Sequence, residues 1–231
     1  MMEINKHRED RWNRIYAEYR PVDLRDVTLS VEPLFDTCLM MFAKKTTHVL
    51  DFGCGTGDIL FQYAQYKAKS KGVGIDLAEK GIAFAKETSK MSQYRNLHFF
   101  EGDESFLKNF ETGQFDGIIL SNVLDVMSEN LSHDTVVELN RILKNGGYWF
   151  IKLNPFYSSN ELREMDYEKI GHHMYGEKGE LYLRQESTSY WMKFFNKIGA
   201  VERYVEFPYN WQPGMNRIFL VKKNKKIKMN F

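Results

Sequence analysis

Val49-Leu50-Asp51-Phe52-Gly53-Cys54-Gly55-Thr56-Gly57-Asp58 reads as the end of a buried strand, a tight turn and the first residue of a helix. Glycines at 53, 55 and 57 allow φ values closed to other residues, and without Cβ atoms they let a ligand lie close to the backbone. In open α/β sheets, ligands bind in the crevice at the carboxyl ends of the strands. The spacing is G-x-G-x-G, whereas the dinucleotide pattern is G-x-G-x-x-G, and Asp58 stands where a pyrophosphate would meet the helix N-terminus. A carboxylate there repels phosphate, so the turn favours a ligand without one. The competing reading is that the glycines only make a tight turn.

Around this turn, apolar runs alternate with helical patterns. Residues 48–52, 72–76, 97–101, 115–121 and 148–153 read as strands. Residues 58–69, 80–91 and 132–144 read as the helices between them, the last ending at Asn145-Gly146-Gly147 as a glycine cap. Trp191, Phe194, Phe195 and Ile198 fall at helical spacing before Gly199, and 201–207 and 217–221 read as a closing antiparallel hairpin. Strand–helix alternation predicts one α/β domain: a doubly wound, mainly parallel seven-stranded sheet with an antiparallel C-terminal hairpin.

Asp76 ends the second strand, where a carboxylate can accept from both hydroxyls of a ribose; the alternative is that it only caps the next helix. Asp103 follows the third strand and is placed to accept from an adenine amine, or else to sit in a solvated loop, and Leu77 is placed to cover the ring. In order and spacing, residues 48–153 resemble the class I S-adenosylmethionine-dependent methyltransferases, whose fold is Rossmann-like. The resemblance implies that Asp51 orients the methionine portion of S-adenosylmethionine, that Asp76 holds the ribose and that Asp103 approaches the adenine amine. Gly53, Cys54, Gly55, Gly57, Leu77, Glu104, Asn122 and Tyr16 complete the cofactor contacts expected on this reading. The segment 115–125 resembles the family's fourth strand and the loop that faces the methyl group. Leu143-Lys144-Asn145-Gly146-Gly147 is similar to the family's turn into the fifth strand, with asparagine where proline is commonest.

Composition bounds the rest. No apolar run approaches 18 residues, and the charged start MMEINKHREDRWNR lacks a secretory core, so a soluble cytoplasmic protein is expected. Cys38 and Cys54 have neither zinc-site nor disulfide spacing and are expected to be reduced thiols. Five lysines between 222 and 228 read as a solvated run; without them the formal charge falls from +1 to −4. A mildly acidic body disfavours nucleic acid. Asn154-Pro155-Phe156-Tyr157 matches the N-P-P-Y signature of amine methylation poorly, because the second proline is missing and the segment follows the fifth strand. A small-molecule acceptor is therefore expected, with a monomer or homodimer and no metal.

Two segments are expected to enclose the acceptor. Residues 5–18 and 33–44 read as helices ahead of the sheet, and 1–47 as a lid in which Trp12, Tyr16, Tyr19 and Arg20 face the ligand, although the same stripe suits ordinary packing. Residues 154–190 form an insertion longer than an ordinary connection, carrying Tyr157, His172, His173, Tyr175, Tyr182 and Arg184. Should the acceptor need to lose a proton, Asp125 is the nearest base after the fourth strand; His133 reads as a surface residue. The rival readings are an NAD(P)-dependent oxidoreductase and a non-catalytic S-adenosylmethionine-binding protein.

Overall fold

The computed structural model describes residues 2–177 and 180–224, and within them the side chains of 9–176 and 180–224. Two helices, α1 (Met2–Tyr16) and α2 (Pro33–Lys45), precede the sheet. The core then runs β1 (His48–Phe52), α3 (Asp58–Tyr66), β2 (Lys71–Asp76), α4 (Glu79–Met91), β3 (Leu97–Glu101), β4 (Phe115–Ser121), α5 (Glu129–Ile142) and β5 (Leu143–Leu153). After the insertion come α7 (Thr188–Ile198), β9 (Gly199–Tyr209) and β10 (Gln212–Lys223). The seven strands lie in the order β3-β2-β1-β4-β5-β10-β9. The first five pair in parallel, and β10 runs antiparallel to both β5 and β9. The expected hairpin thus closes the sheet, with β10 inside and β9 at the edge.

The central strands bury both faces, as parallel strands under helices must. Leu50, Ile118, Leu120, Trp149 and Ile151 join one core with α5 and α7, while Val49, Ile119 and Phe150 point to the other with α2, α3 and α4. Local chemistry starts the helices where they are needed. Glu32 accepts from the N–H groups of Leu34 and Phe35 ahead of Pro33, which commits Phe35, Cys38, Leu39 and Phe42 to one buried face. Ser187 accepts from Tyr190 N–H, and α7 then buries Trp191, Phe194, Phe195 and Ile198, roughly 1.5–3 kcal/mol for each large apolar side chain.

One end differs from expectation for a physical reason. Helix α5 stops at Ile142 instead of at the glycine pair, and β5 begins at Leu143. Lys223, from β10, donates to the carbonyls of Asn140 and Leu143 at 2.6 and 2.7 Å, so an ammonium from a distant strand satisfies the helix end without a glycine cap. The expected solvated lysine run is in part structural for the same reason; Lys225, Lys226 and Lys228 lie outside the described residues. The insertion forms α6 (Ser159–Glu164) and a separate antiparallel sheet of β6 (Glu168–Gly171), β7 (Met174–Glu177) and β8 (Glu180–Arg184). Among the described residues no helix is long and apolar enough to cross a membrane.

Candidate active site

The glycine turn hangs from the neighbouring strand. Gly53 and Cys54 N–H groups both donate to Ile75 O of β2, at 2.8 and 3.0 Å, and φ at Gly53, Gly55 and Gly57 is +75°, +53° and +82°. Asp76 ties the turn to α4: one carboxylate oxygen accepts from Gly55 N–H at 2.7 Å and the other from Ala78 N–H at 2.8 Å. The freedom of Gly55 serves the protein's own packing, since a Cβ there would lie 2.5 Å from the Tyr16 hydroxyl.

Asp51 lies on β1, 1% exposed, and its Oδ2 has no hydrogen-bond partner among the described residues. Burial pushes its carboxyl well above the usual range, and the nearby carboxylates Asp76 and Asp58 push the same way. Asp58 opens α3, accepts from the Thr56 hydroxyl at 2.8 Å and is raised by burial. The Cys54 thiol is likewise pushed well up by burial, then by Asp51 and Asp76, which leaves it a poor nucleophile.

At the carboxyl ends of β1, β2 and β4 these elements enclose an open cleft. Of the residues singled out in the sequence, Trp12, Tyr16, Gly53, Asp76, Leu77, Glu104 and Asn122 line it, joined by Gly102, Val123, Val126 and Met127. Asp51, Cys54, Gly55, Gly57 and Asp103 do not; Asp103 accepts from the backbone N–H and hydroxyl of Ser105 and so caps the 3-10 turn Glu104–Asn109. Helix α1 crosses the cleft. Asn13 caps Lys80 N–H at the start of α4, Trp12 stacks on Tyr16, Tyr19 packs edge-on to Phe84, and Arg11 sits 3.5 Å from the Tyr182 ring centroid in the insertion. Arg20 turns away to the carbonyls of Ala17 and Tyr19.

A family model described as a methyltransferase domain matches residues 43–196, well over half of the chain and all of the turn, β1 to β5 and the insertion. The chain belongs to the methyltransferase domain family. It is 33% identical over 158 residues to a demethylmenaquinone methyltransferase of Leptospira interrogans, a match covering 62% of this chain and 61% of that protein. The curated relatives are thus matched over only about two fifths to three fifths of their length. In fold the methyltransferase domain is similar to a protein of Pyrococcus horikoshii, with a TM-score of 0.65 at 23% identity over 82% of this chain and 88% of that one. It is similar also to the 1,6-didemethyltoxoflavin-N1-methyltransferase of Burkholderia thailandensis, solved with 1,6-didemethyltoxoflavin and S-adenosylhomocysteine. There the TM-score is 0.63 at 13% identity, covering 83% and 77%.

Beyond the cleft, the methyltransferase domain carries a buried polar cluster that the sequence reading only grazed. Asp125 is fully buried and does not line the cleft; its Oδ2 accepts from Asn154 N–H at 2.6 Å while Oδ1 has no hydrogen-bond partner among the described residues. Burial raises its carboxyl, against the Asn154 bond and the charges of Arg217 and Lys152. Lys152, unpredicted, donates to Asn122 Oδ1 at 2.9 Å. A single lysine inside the apolar run 148–153 was the available signal. The described insertion residues stay out of the cleft and buttress it: Arg184, 2% exposed, donates to the carbonyls of Met127 and Leu124 and to the Ser132 hydroxyl, at 2.9–3.0 Å. His172 and His173 stack on each other, with His173 against Glu186, and no metal-binding cluster occurs among the described residues.

Proposed function

We propose that this methyltransferase domain binds S-adenosylmethionine in the cleft between the glycine turn and α1 and methylates a small-molecule acceptor. The observation that carries the reading is Asp51, a buried carboxylate with an unmet oxygen beside the turn. A buried acceptor without a donor costs about 1–3 kcal/mol, more when charged, and the ammonium of the cofactor's methionine portion is a donor of the right charge. Asp76, held in place by two backbone N–H groups, keeps the acceptor capacity of a carboxylate for the ribose hydroxyls. Leu77, Gly102 and Glu104 border the space for the base, while Asp103, engaged with Ser105, supports the turn from outside the cleft. Asp58 at the start of α3 disfavours a pyrophosphate and with it a nicotinamide dinucleotide.

The cofactor, when bound, supplies a methyl group on a sulfonium, whose C–S bond breaks as the acceptor's lone pair forms the new bond and a neutral thioether leaves. The residues of the chain contribute orientation and exclusion of water, which together supply up to about 7–11 kcal/mol in favourable cases. Trp12 and Tyr16 roof the site, and Met127, Val126 and Val123 give its acceptor side an apolar wall. A proton on the acceptor leaves to water, because Asp125 lies off the cleft. The Leptospira relative is named for a quinone, so quinones and their reduced forms are the first acceptors to try. Calorimetry with S-adenosylhomocysteine and with NADH tests the reading: the first binds, and the Asp76→Ala variant loses it. Binding of NADH alone overturns it.

A further inference from the structure

Lys152 ends an apolar strand and is 3% exposed, an environment in which an ammonium persists only when paired and hydrogen-bonded. Three groups from three elements face it or its partner: Asp125 after β4, the Tyr209 ring of β9 at 5.0 Å, and Arg217 of β10, which donates to Asn154 O beside Asp125. Its ammonium donates to Asn122 Oδ1 at 2.9 Å, and the backbone answers it, because Asn122 N–H donates to Lys152 O at 2.9 Å. Asn122 itself holds φ +56°, a conformation that non-glycine residues adopt rarely and that clusters at functional sites, and it lines the cleft. An ammonium has three donors and no acceptor, so the amide must turn its oxygen to Lys152, and planarity then carries its NH₂ group to the opposite corner.

We propose that Lys152 is a positioning residue for the methyl acceptor: by holding the oxygen of the Asn122 amide it presents that amide's N–H donors to the cleft. The site thereby selects acceptors with a hydrogen-bond-accepting oxygen, a phenolate, enolate or carbonyl, next to the atom that is methylated. This inference rests on the methyl-transfer reading above and adds the acceptor class to it. Burial lowers the Lys152 ammonium to about 8, against the pull of Asp125. Above that pH the neutral amine has a lone pair, accepts as well as donates, and no longer dictates which corner of the amide faces the cleft.

The test measures kcat and KM for 1,4-dihydroxynaphthalene and for a panel of phenols and enolisable ketones with S-adenosylmethionine, following the added methyl by mass spectrometry. Wild type, Lys152→Met, Lys152→Arg and Asn122→Asp are compared, with S-adenosylhomocysteine affinity measured by calorimetry for each. Lys152→Met and Asn122→Asp are expected to raise the acceptor KM about tenfold or more, and in Lys152→Met S-adenosylhomocysteine affinity stays within about twofold. Asn122→Asp keeps an ion pair with Lys152 but has no N–H to offer, so a merely structural pair would tolerate it. In wild type KM climbs above about pH 8, and Lys152→Arg, charged throughout, holds KM flat over the same range. Wild-type KM in Asn122→Asp, identical pH profiles for wild type and Lys152→Arg, or a wild type that binds S-adenosylhomocysteine yet methylates no member of the panel overturns the proposal. A wild type that binds no S-adenosylhomocysteine instead overturns the reading on which it rests.

Discussion

Replacing Asp51 by asparagine keeps the side chain's size and removes a charge that the protein holds in its interior without a full set of donors. In the ligand-free protein the substitution relieves the desolvation of a carboxylate and its repulsion from Asp76 and Asp58. The asparagine NH₂ then lacks acceptors of its own, which offsets part of the gain, so a net stabilisation of about 1–2 kcal/mol is expected. For a chain of this size that corresponds to a rise in Tm of roughly 2–8 °C. Its pH dependence has a definite sign. A carboxyl raised in the folded state supports folding below its ordinary value of 3.8 and loses that support as pH rises through the folded value. The variant's advantage is therefore small in acid and grows toward neutral pH. Binding moves the other way: losing a charge-assisted bond of about 1.5–3 kcal/mol weakens S-adenosylhomocysteine about 10- to 100-fold. Thermal melts without ligand at acid and neutral pH, with calorimetry at neutral pH, read both effects. A variant that melts lower at neutral pH and binds as well as wild type would show that Asp51 is already satisfied within the protein and meets no ligand.

At Gly55, alanine puts a Cβ 2.5 Å from the Tyr16 hydroxyl at φ +53°; S-adenosylhomocysteine affinity is expected to fall, and Tyr16→Phe in the same chain to restore part of it, which calorimetry checks. Arg184→Met removes the donors from the Leu124 and Met127 carbonyls and should cost about 2–4 kcal/mol, with faster amide exchange over 124–132; unchanged exchange would remove the buttress role of the insertion. Burial pushes Tyr63 up from 10.0 to about 12, partly opposed by its Thr46 hydrogen bond, so it supports folding fully below pH 10 and loses that support as pH rises toward 12. Alkaline titration at 295 nm should find Tyr63 ionising only with unfolding, and a Tyr63→Phe chain should show a shallower alkaline loss of stability.

The glycine turn and the five parallel strands were legible because each rule acts locally. Strand 48–52 is followed at once by residues that only a sharp turn accommodates, and 115–121 and 97–101 were bounded to the residue. Long-range partners decided the rest. Lys223 replaces a glycine cap at the end of α5 from 80 residues away, and no local pattern announces it. The small sheet β6–β8 packs its strands mostly at half-buried or exposed positions, so they lack the continuous apolar run that marks 115–121. At the site, Asp76, Leu77, Glu104, Asn122 and Tyr16 meet along one cleft, whereas Asp103 turns to Ser105 two residues on, a competition local side-chain chemistry decides. Asp125 sits at the expected place in the chain but turns toward Asn154, because Arg217 and Lys152 supply its countercharge from strands the linear reading could not bring together.

The position of β10 between β5 and β9 bears on how the chain is made. While residues 212–223 are still in the ribosome, β5 presents Trp149, Phe150 and Ile151 along an open ladder, the kind of edge that recruits other strands. The final wedge must therefore arrive before a neighbouring nascent chain does. Truncation at 211 should yield a protein that depends on holdases and clumps when they are withdrawn, while adding residues 212–224 as a separate peptide should rescue it by filling the gap.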